Sequence, residues 1–110
     1  MRISKSQAAL PIPVRHALQK LGNGISAARK HRGITAEMLA ARAFINRKSL
    51  SRVENGDSGV SIGIYASVLF ALGLVDGLGA LVENDAVGRA LAADRLPKRV
   101  RPAESVYADE

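Results

Sequence analysis

The residues best suited to recognition chemistry are basic and hydroxyl side chains between positions 47 and 52. If this segment is helical, with about 100° of rotation per residue, four of them lie within about 140° of one another: Arg47, Lys48, Ser51 and Arg52. Leu50 and Val53 fall on the opposite side. Such a helix packs by its apolar side and presents a cationic, hydrogen-bonding face. It has the right width for the DNA major groove, where Arg and Lys donate to guanine O6 and N7.

No arrangement typical of catalysis or metal binding accompanies this face. His16 and His31 have no acidic partner at helical spacing, and the chain has no cysteine. The glycine-rich phosphate-binding patterns GxGxxG and GxxxxGK(S/T) are both absent. Glu83, Asp85 and Asp94 are interpreted as helix-end and surface charges rather than as a general acid and base. We therefore expect no enzymatic activity, no metal and no cofactor.

A shorter helix is predicted just before the cationic face, in a position to support it. Thr35 can cap its N-terminus. Its inward stripe consists of Leu39, Ala40 and Ala43. Because alanine side chains are small, the following helix can cross close behind them. Asn46 can cap that cationic helix, and Gly56 can end it.

The stretch from Arg29 to Gly56 resembles the helix-turn-helix of the phage-repressor class, the Cro/XRE family. Family sequences read approximately R..rg.T(Q)..LA...G(V)(S)...(L/I)S.(I/V)E.G. The matching residues are Arg29, Gly33, Thr35, Leu39, Ala40, Ile45, Leu50, Ser51, Val53, Glu54, Asn55 and Gly56. With the helices that follow, the resemblance covers roughly residues 21–81. It implies an all-α fold, namely a five-helix lambda-repressor-like helix-turn-helix domain with a short C-terminal extension.

The resemblance also implies roles for individual residues. The predicted DNA-binding residues are Lys30, Thr35, Arg47, Lys48, Ser49, Ser51, Arg52 and Asn55. Those at base-facing positions of the recognition helix are Arg47, Lys48, Ser51 and Arg52, with Ser49 nearby. Lys30 and Asn55 are expected to contact phosphates. Arg29 and Glu54 match a buried ion pair that ties the first helix to the recognition helix.

Two positions depart from the family pattern. Ala36 stands where the family usually has a phosphate-contacting Gln, so that contact is missing or supplied elsewhere. Phe44 stands where the family has a turn glycine. Since a bulky residue is disfavoured at positive φ, we expect either a reshaped turn or a Phe44 side chain that fills a gap between helices.

The rest of the chain predicts further helices around this pair. A long first helix is predicted from apolar residues at helical spacing: Val14, Leu18, Leu21, Ile25 and Ala28. Gly22 and Gly24 predict a kink or a break in its middle. Ser61 can cap a fourth helix, on which Phe70 points away from the inward stripe and is a candidate for contact with a second copy. Asp85 can cap a last short helix.

These elements group into three predicted parts. They are an N-terminal arm at 1–13, the helix-turn-helix domain at 14–82, and a C-terminal helix with a flexible tail at 83–110. Residues 74–82 hold more apolar side chains than one small bundle needs to bury. We interpret this surplus as a dimer surface, with an ordinary closed core as the alternative.

Composition and charge indicate the surroundings of the chain. The absence of cysteine fits a reducing cytosol, and the N-terminus has no apolar signal segment, so a cytoplasmic location is expected. The uncharged stretch 60–75 is shorter than the roughly 20 residues of a membrane span. Residues 1–33 contain seven basic and no acidic side chains, whereas residues 57–94 contain one basic and five acidic ones. Within a net charge of +6, this polarity favours one half that faces DNA and another that faces elsewhere.

Two functions fit these features. The first is a sequence-specific DNA-binding transcriptional regulator, a repressor that acts as a homodimer on a palindromic operator in double-stranded DNA. The alternative is an antitoxin of the HipB kind, from a type II toxin-antitoxin module, which binds and neutralises a HipA-like kinase toxin and represses their shared operon. The acidic helices after Gly56 and the segment LPKRVR at 96–101 would then form the partner surface. A kinase-like gene directly downstream would favour the antitoxin.

Overall fold

The computed structural model describes residues 9–95. Within this range the regular secondary structure is entirely helical, and there is no strand. The helices are α1 (Ile12–His31), α2 (Ala36–Arg42), α3 (Arg47–Glu54), α4 (Ile62–Ala71), α5 (Val75–Gly79) and α6 (Ala86–Arg95). The all-α prediction is confirmed. One compact unit, which contains α1 to α5, ends at Gly79, and α6 belongs to a second unit. Residues 1–8 of the predicted arm and the tail from position 96 lie outside the described residues.

The core of the first unit is almost entirely aliphatic. Its buried side chains are Ile25, Leu39, Ala40, Ala43, Leu50, Val53, Tyr65, Val68, Leu69 and Leu72. Burial of one large aliphatic side chain stabilises a fold by about 1.5–3 kcal/mol. Because α3 contacts α1, α2 and α4, its apolar side is held by three neighbouring helices. Its orientation is therefore fixed by the core of the unit.

The predicted N-caps of three helices are confirmed. In each case a side-chain oxygen accepts from a backbone N–H in the first turn, which satisfies a donor that the helix itself leaves unpaired. The bonds are Met38 N to Thr35 Oγ1 at 3.1 Å, Ser49 N to Asn46 Oδ1 at 2.7 Å, and Ile64 N to Ser61 Oγ at 3.2 Å. The first residues of α2, α3 and α4 follow from these caps.

The C-termini of α1 to α4 share one hydrogen-bond pattern, the Schellman motif. A residue with positive φ follows each cap, and these residues are Gly33, Phe44, Gly56 and Gly73. After α2, for example, Ile45 N donates to Ala40 O at 3.0 Å and Phe44 N donates to Ala41 O at 3.1 Å. Glycine is the usual residue in this position because it has no Cβ. Phe44 is therefore the exception among the four.

The predicted break at Gly22 and Gly24 does not occur, since α1 runs without interruption from Ile12 to His31. Gly22 is buried instead against the C-terminal end of α3. A Cβ at this position would lie 2.7 Å from Glu54 O and 2.7 Å from Gly56 N. Gly22 thus allows the backbones of α1 and α3 to approach closely. Among the residues that the structure describes, a Cβ at Gly24 would meet nothing within 4 Å.

The apolar residues after α4 divide between core and surface. Val75 and Leu78 pack against the core, so part of the predicted surplus belongs to the closed bundle. Leu74 is exposed, as are Leu81 and Val82 in the second unit. No helix within residues 9–95 has both the length and the apolar character needed to cross a bilayer.

The second unit contains α6, which begins as the sequence predicts. Asp85 Oδ1 accepts from Gly88 N at 2.9 Å, so the predicted cap is confirmed. Its large apolar side chains, Val87 and Leu91, are exposed. They lie four residues apart and therefore share one face of the helix.

Alanine substitutions at the two glycines of α1 should have opposite effects. We expect Gly22→Ala to lower the free energy of unfolding by about 2 kcal/mol, because the added Cβ must push α3 away. Gly24→Ala should raise it by up to about 1 kcal/mol, because alanine favours the helix and nothing obstructs its side chain. Urea unfolding followed by circular dichroism measures both values. A gain in stability for both variants would contradict the close approach of α1 and α3.

Candidate nucleic-acid interface

The outward side of α3 presents the basic and hydroxyl residues that the sequence singles out. Leu50 and Val53 are buried, whereas Arg47, Lys48 and Ser51 are exposed. Ser49 is half-buried. We call the outward side of this helix, formed by Arg47, Lys48, Ser49 and Ser51, the α3 face. Its backbone is rigid because the opposite side of the helix belongs to the core.

The cations of the α3 face are available to a ligand. Arg47 Nη1 lies 3.9 Å from Glu37 Oε2, and both side chains are largely exposed. An ion pair of this length in water is worth only a few tenths of a kcal/mol. Within residues 9–95, the side chain of Lys48 makes no hydrogen bond or ion pair. Both side chains can therefore turn towards an anionic or acceptor-rich partner at little cost.

An ion pair between Arg29 and Glu54 ties α1 to the end of α3. Arg29 Nε donates to Glu54 Oε2 at 2.8 Å, and Nη2 donates to Oε1 at 3.2 Å. Each side chain is only 14% exposed. The bond to Glu54 also raises the pKa of Arg29. The two residues that the family resemblance pairs thus meet in a bidentate contact, the strongest geometry for such a pair.

The same guanidinium also holds the turn that leads into α2. Arg29 Nη1 donates to Ile34 O at 3.2 Å. One side chain therefore connects α1, the segment before α2, and the C-terminal turn of α3. This side chain therefore helps to fix the relative positions of the three helices.

The turn between α2 and α3 keeps its left-handed residue although that residue is Phe44. Phe44 has φ of 59° and is 93% exposed. Both expectations for it are therefore wrong: the turn is not reshaped, and the ring fills no gap between the helices. The left-handed conformation costs a non-glycine residue about 1–2 kcal/mol. The hydrogen bonds of the Schellman motif and the packed helices on either side hold it in place.

Arg52 differs from the other predicted base-facing residues because it is paired within the chain. Its Nε donates to Asp57 Oδ2 at 2.8 Å, and the two side chains are 34% and 21% exposed. Asp57 Oδ1 accepts from Gly59 N at 2.7 Å, and Tyr65 Oη donates to Asp57 O at 2.8 Å. The bond from Arg52 lowers the pKa of Asp57, and burial raises the pKa of Tyr65.

Asp57 is the residue that the sequence interpretation missed at this site. A helical projection of residues 47–52 does not include a loop residue after Gly56. The available signal was an acid five residues after Arg52, just beyond the glycine that ends α3.

The remaining predicted residues flank the α3 face along the chain. Asn55 is the exposed C-cap of α3. Lys30 is exposed in the last turn of α1. Thr35 is exposed, and its hydroxyl oxygen already accepts the capping bond from Met38 N. Each retains a donor that a phosphate oxygen could accept.

The pair between Arg52 and Asp57 should make stability depend on pH. The pKa of Asp57 lies below its ordinary value of 3.8 in the folded state. Its contribution is therefore complete above about pH 5 and is lost as the pH falls through the lowered pKa. The difference in free energy of unfolding between wild type and Asp57→Asn should be largest near neutral pH and shrink below about pH 4. Denaturant titrations of both proteins, from below pH 4 to neutral pH, measure this difference. A difference that does not change with pH would contradict a stabilising pair between Arg52 and Asp57.

Comparison with known proteins agrees with this geometry. Residues 25–74 match a family model described as Helix-turn-helix. Searches of curated proteins and of solved structures gave no match. The matched segment begins at Ile25 within α1, includes α2, α3 and α4, and ends just before α5. Helix-turn-helix domains place their second helix in the major groove of DNA. Within the matched segment, the α2–α3 pair thus occupies the place of the helix-turn-helix, and α3 is its second helix.

Proposed function

We propose that the chain is a transcription regulator that represses by binding a specific DNA sequence through α3. The observation that carries this proposal is the α3 face, where exposed Arg47, Lys48 and Ser51 stand on a helix with a buried opposite side. A rigid helix that carries several donors can match base edges without first being ordered. A regulator bound beside a promoter excludes the polymerase and so represses transcription.

The expected contacts fall into two classes. Arg47 and Lys48 donate to acceptors on base edges, above all guanine O6 and N7, while Ser49 and Ser51 form nearby hydrogen bonds. Lys30, Thr35 and Asn55 bind phosphate oxygens, which sets the register of the domain on the duplex. The distribution of charge supports this orientation, since basic residues predominate before Gly56 and acidic residues after it.

A dimer is the expected active form. Two copies place two recognition helices about 34 Å apart, one turn of the duplex, on a near-palindromic operator. Support comes from exposed aromatic side chains in the first unit, Phe44 and Phe70. They line an open apolar cleft of about 320 Å³ together with Arg42, Ala43, Ala66, Ser67 and Val75. Aromatic surface of this kind is enriched at protein interfaces.

An antitoxin role is the second candidate. The observation in its favour is the exposed apolar side chains of the second unit: Leu81, Val82, Val87 and Leu91. Exposed large apolar side chains outside the segment proposed to bind DNA favour a protein partner. Isolation from native cells of a complex with a kinase-like protein would support this role, whereas isolation of the chain with DNA alone would favour the plain regulator.

Substitutions on the α3 face should weaken operator binding selectively. We expect Arg47→Ala or Lys48→Ala to cost about 1–3 kcal/mol of specific binding and to relax the preference at one base pair. The measurement is a titration of labelled operator, selected from random duplexes, at a stated salt concentration. Arg95→Ala, which removes one positive charge outside the matched domain, is the control and should have little effect. An equal loss on random DNA would mean that these residues contact only phosphates.

The exposed aromatic cleft should be needed for the dimer. We expect Phe70→Ser to weaken dimerisation at least tenfold, a loss of about 1.4 kcal/mol or more, because an anchor of the interface is removed. Ile62→Ser is the matched control, since Ile62 lies on the same helix and both residues are 71% exposed, but it does not line the cleft. Sedimentation equilibrium of wild type and the two variants measures the dissociation constant of each dimer. Equal weakening by both variants would contradict the assignment of the cleft to the dimer interface.

A further inference from the structure

We propose that Asp57 is a positioning residue that aims the guanidinium of Arg52 at one guanine of the operator. In this arrangement Asp57 holds Nε, while Nη1 and Nη2 donate to guanine O6 and N7. The inference rests on the proposed function and extends it, because it assigns a role in sequence specificity to an acidic residue outside the recognition helix.

The first support is the way in which Arg52 is bound. Its Nε is engaged by Asp57 Oδ2 at 2.8 Å. Within residues 9–95, neither Nη1 nor Nη2 makes a hydrogen bond. The side chain is 34% exposed, so it is partly packed yet still reachable. The terminal donors of the guanidinium are thus left for an external acceptor while its rotation is restricted.

The second support is that Asp57 is itself held on several sides. Its Oδ1 accepts from Gly59 N at 2.7 Å. Its backbone N donates to Arg52 O at 3.0 Å, and its backbone O accepts from Tyr65 Oη at 2.8 Å. Tyr65 is buried in the core. The carboxylate is therefore anchored to the fold, unlike a surface acid that meets a cation by chance.

The chemistry of the pair favours a base over a phosphate. Ionised Asp57 neutralises the charge of Arg52, so the pair gains little from the general attraction to the DNA backbone. The two terminal donors nevertheless keep their spacing, which matches the O6 and N7 acceptors of guanine. An arginine that is already ordered also loses less conformational freedom when it binds. Arg52 in this setting can discriminate between bases while it adds little to non-specific affinity.

The simpler alternative is that the pair only fastens the loop 57–59 to α3. The two roles differ in their effect on individual base pairs. Loss of a purely structural tie disturbs the whole domain, so it weakens all base preferences together. Loss of an aiming contact removes one preference and leaves the others.

The experiment is selection from a random duplex pool with the full chain, followed by measurement of the preference at each position. Wild type should select a G·C pair at one position of each half-site that depends on Arg52. Asp57→Asn should lower the preference at that position at least tenfold, without lowering affinity for random duplex DNA. Asp76→Asn, which removes one negative charge from the exposed surface of α5, is the control and should keep every preference.

Arg52→Lys is the second variant and guards against a fold defect in Asp57→Asn. Lysine keeps the positive charge near Asp57 but lacks the paired donors, so stability should stay near wild type while the same G·C preference is lost. Full retention of that preference in either variant would overturn the inference. A uniform loss at all positions in Asp57→Asn, with a lowered melting temperature, would also overturn it and indicate the structural tie.

Failure of this inference can be distinguished from failure of the proposed function. If wild type selects a clear operator in which no position depends on Arg52, only the role of Asp57 is refuted. If wild type selects no sequence at low salt, the proposed function is refuted as well.

Discussion

The contact between α1 and the C-terminal turn of α3 is the constraint on which the rest of the domain depends. At Gly22 the two backbones come so close that a single Cβ would not fit. A few residues further along α1, the Arg29 guanidinium binds Glu54 through two nitrogens and Ile34 through the third. Close packing at Gly22 sets the distance between α1 and α3, and the ion pair between Arg29 and Glu54 sets the rotation of α3. The outward side of α3 is placed by these two contacts together with the burial of Leu50 and Val53.

Much of this fold could be predicted because its signals are local. Thr35, Asn46 and Ser61 are short polar residues immediately before apolar repeats, and each satisfies a backbone donor of its own helix. Gly22 shows where local reasoning fails. Its low helix propensity predicts a weak point in α1, but its real partners, Glu54 and Gly56, lie more than thirty positions along the chain. Such a contact has no signature in the surrounding sequence.

The candidate site likewise combines features that the local sequence predicts with contacts that it does not predict. The helical projection correctly separates the exposed Arg47, Lys48 and Ser51 from the buried side of α3, since that separation depends only on periodicity. It could not reveal that Arg52 binds Asp57, because the conformation of a long side chain depends on neighbours outside the helix. The expectations for Phe44 are wrong for a different reason. Steric preference disfavours a left-handed phenylalanine by only about 1–2 kcal/mol, which the packing of an otherwise intact motif can outweigh.

The separation of buried and exposed positions on α3 has a consequence for how such a domain can change over generations. Gly22, Leu50 and Val53 hold the scaffold, and a replacement there disturbs the whole unit. Arg47, Lys48 and Ser51 contribute almost nothing to cohesion, since no part of the described core rests on them. Under the proposed function, substitutions at these exposed positions change the preferred operator sequence and leave the fold unchanged. After duplication of the gene, a few substitutions at these positions are then enough for one copy to recognise a different operator.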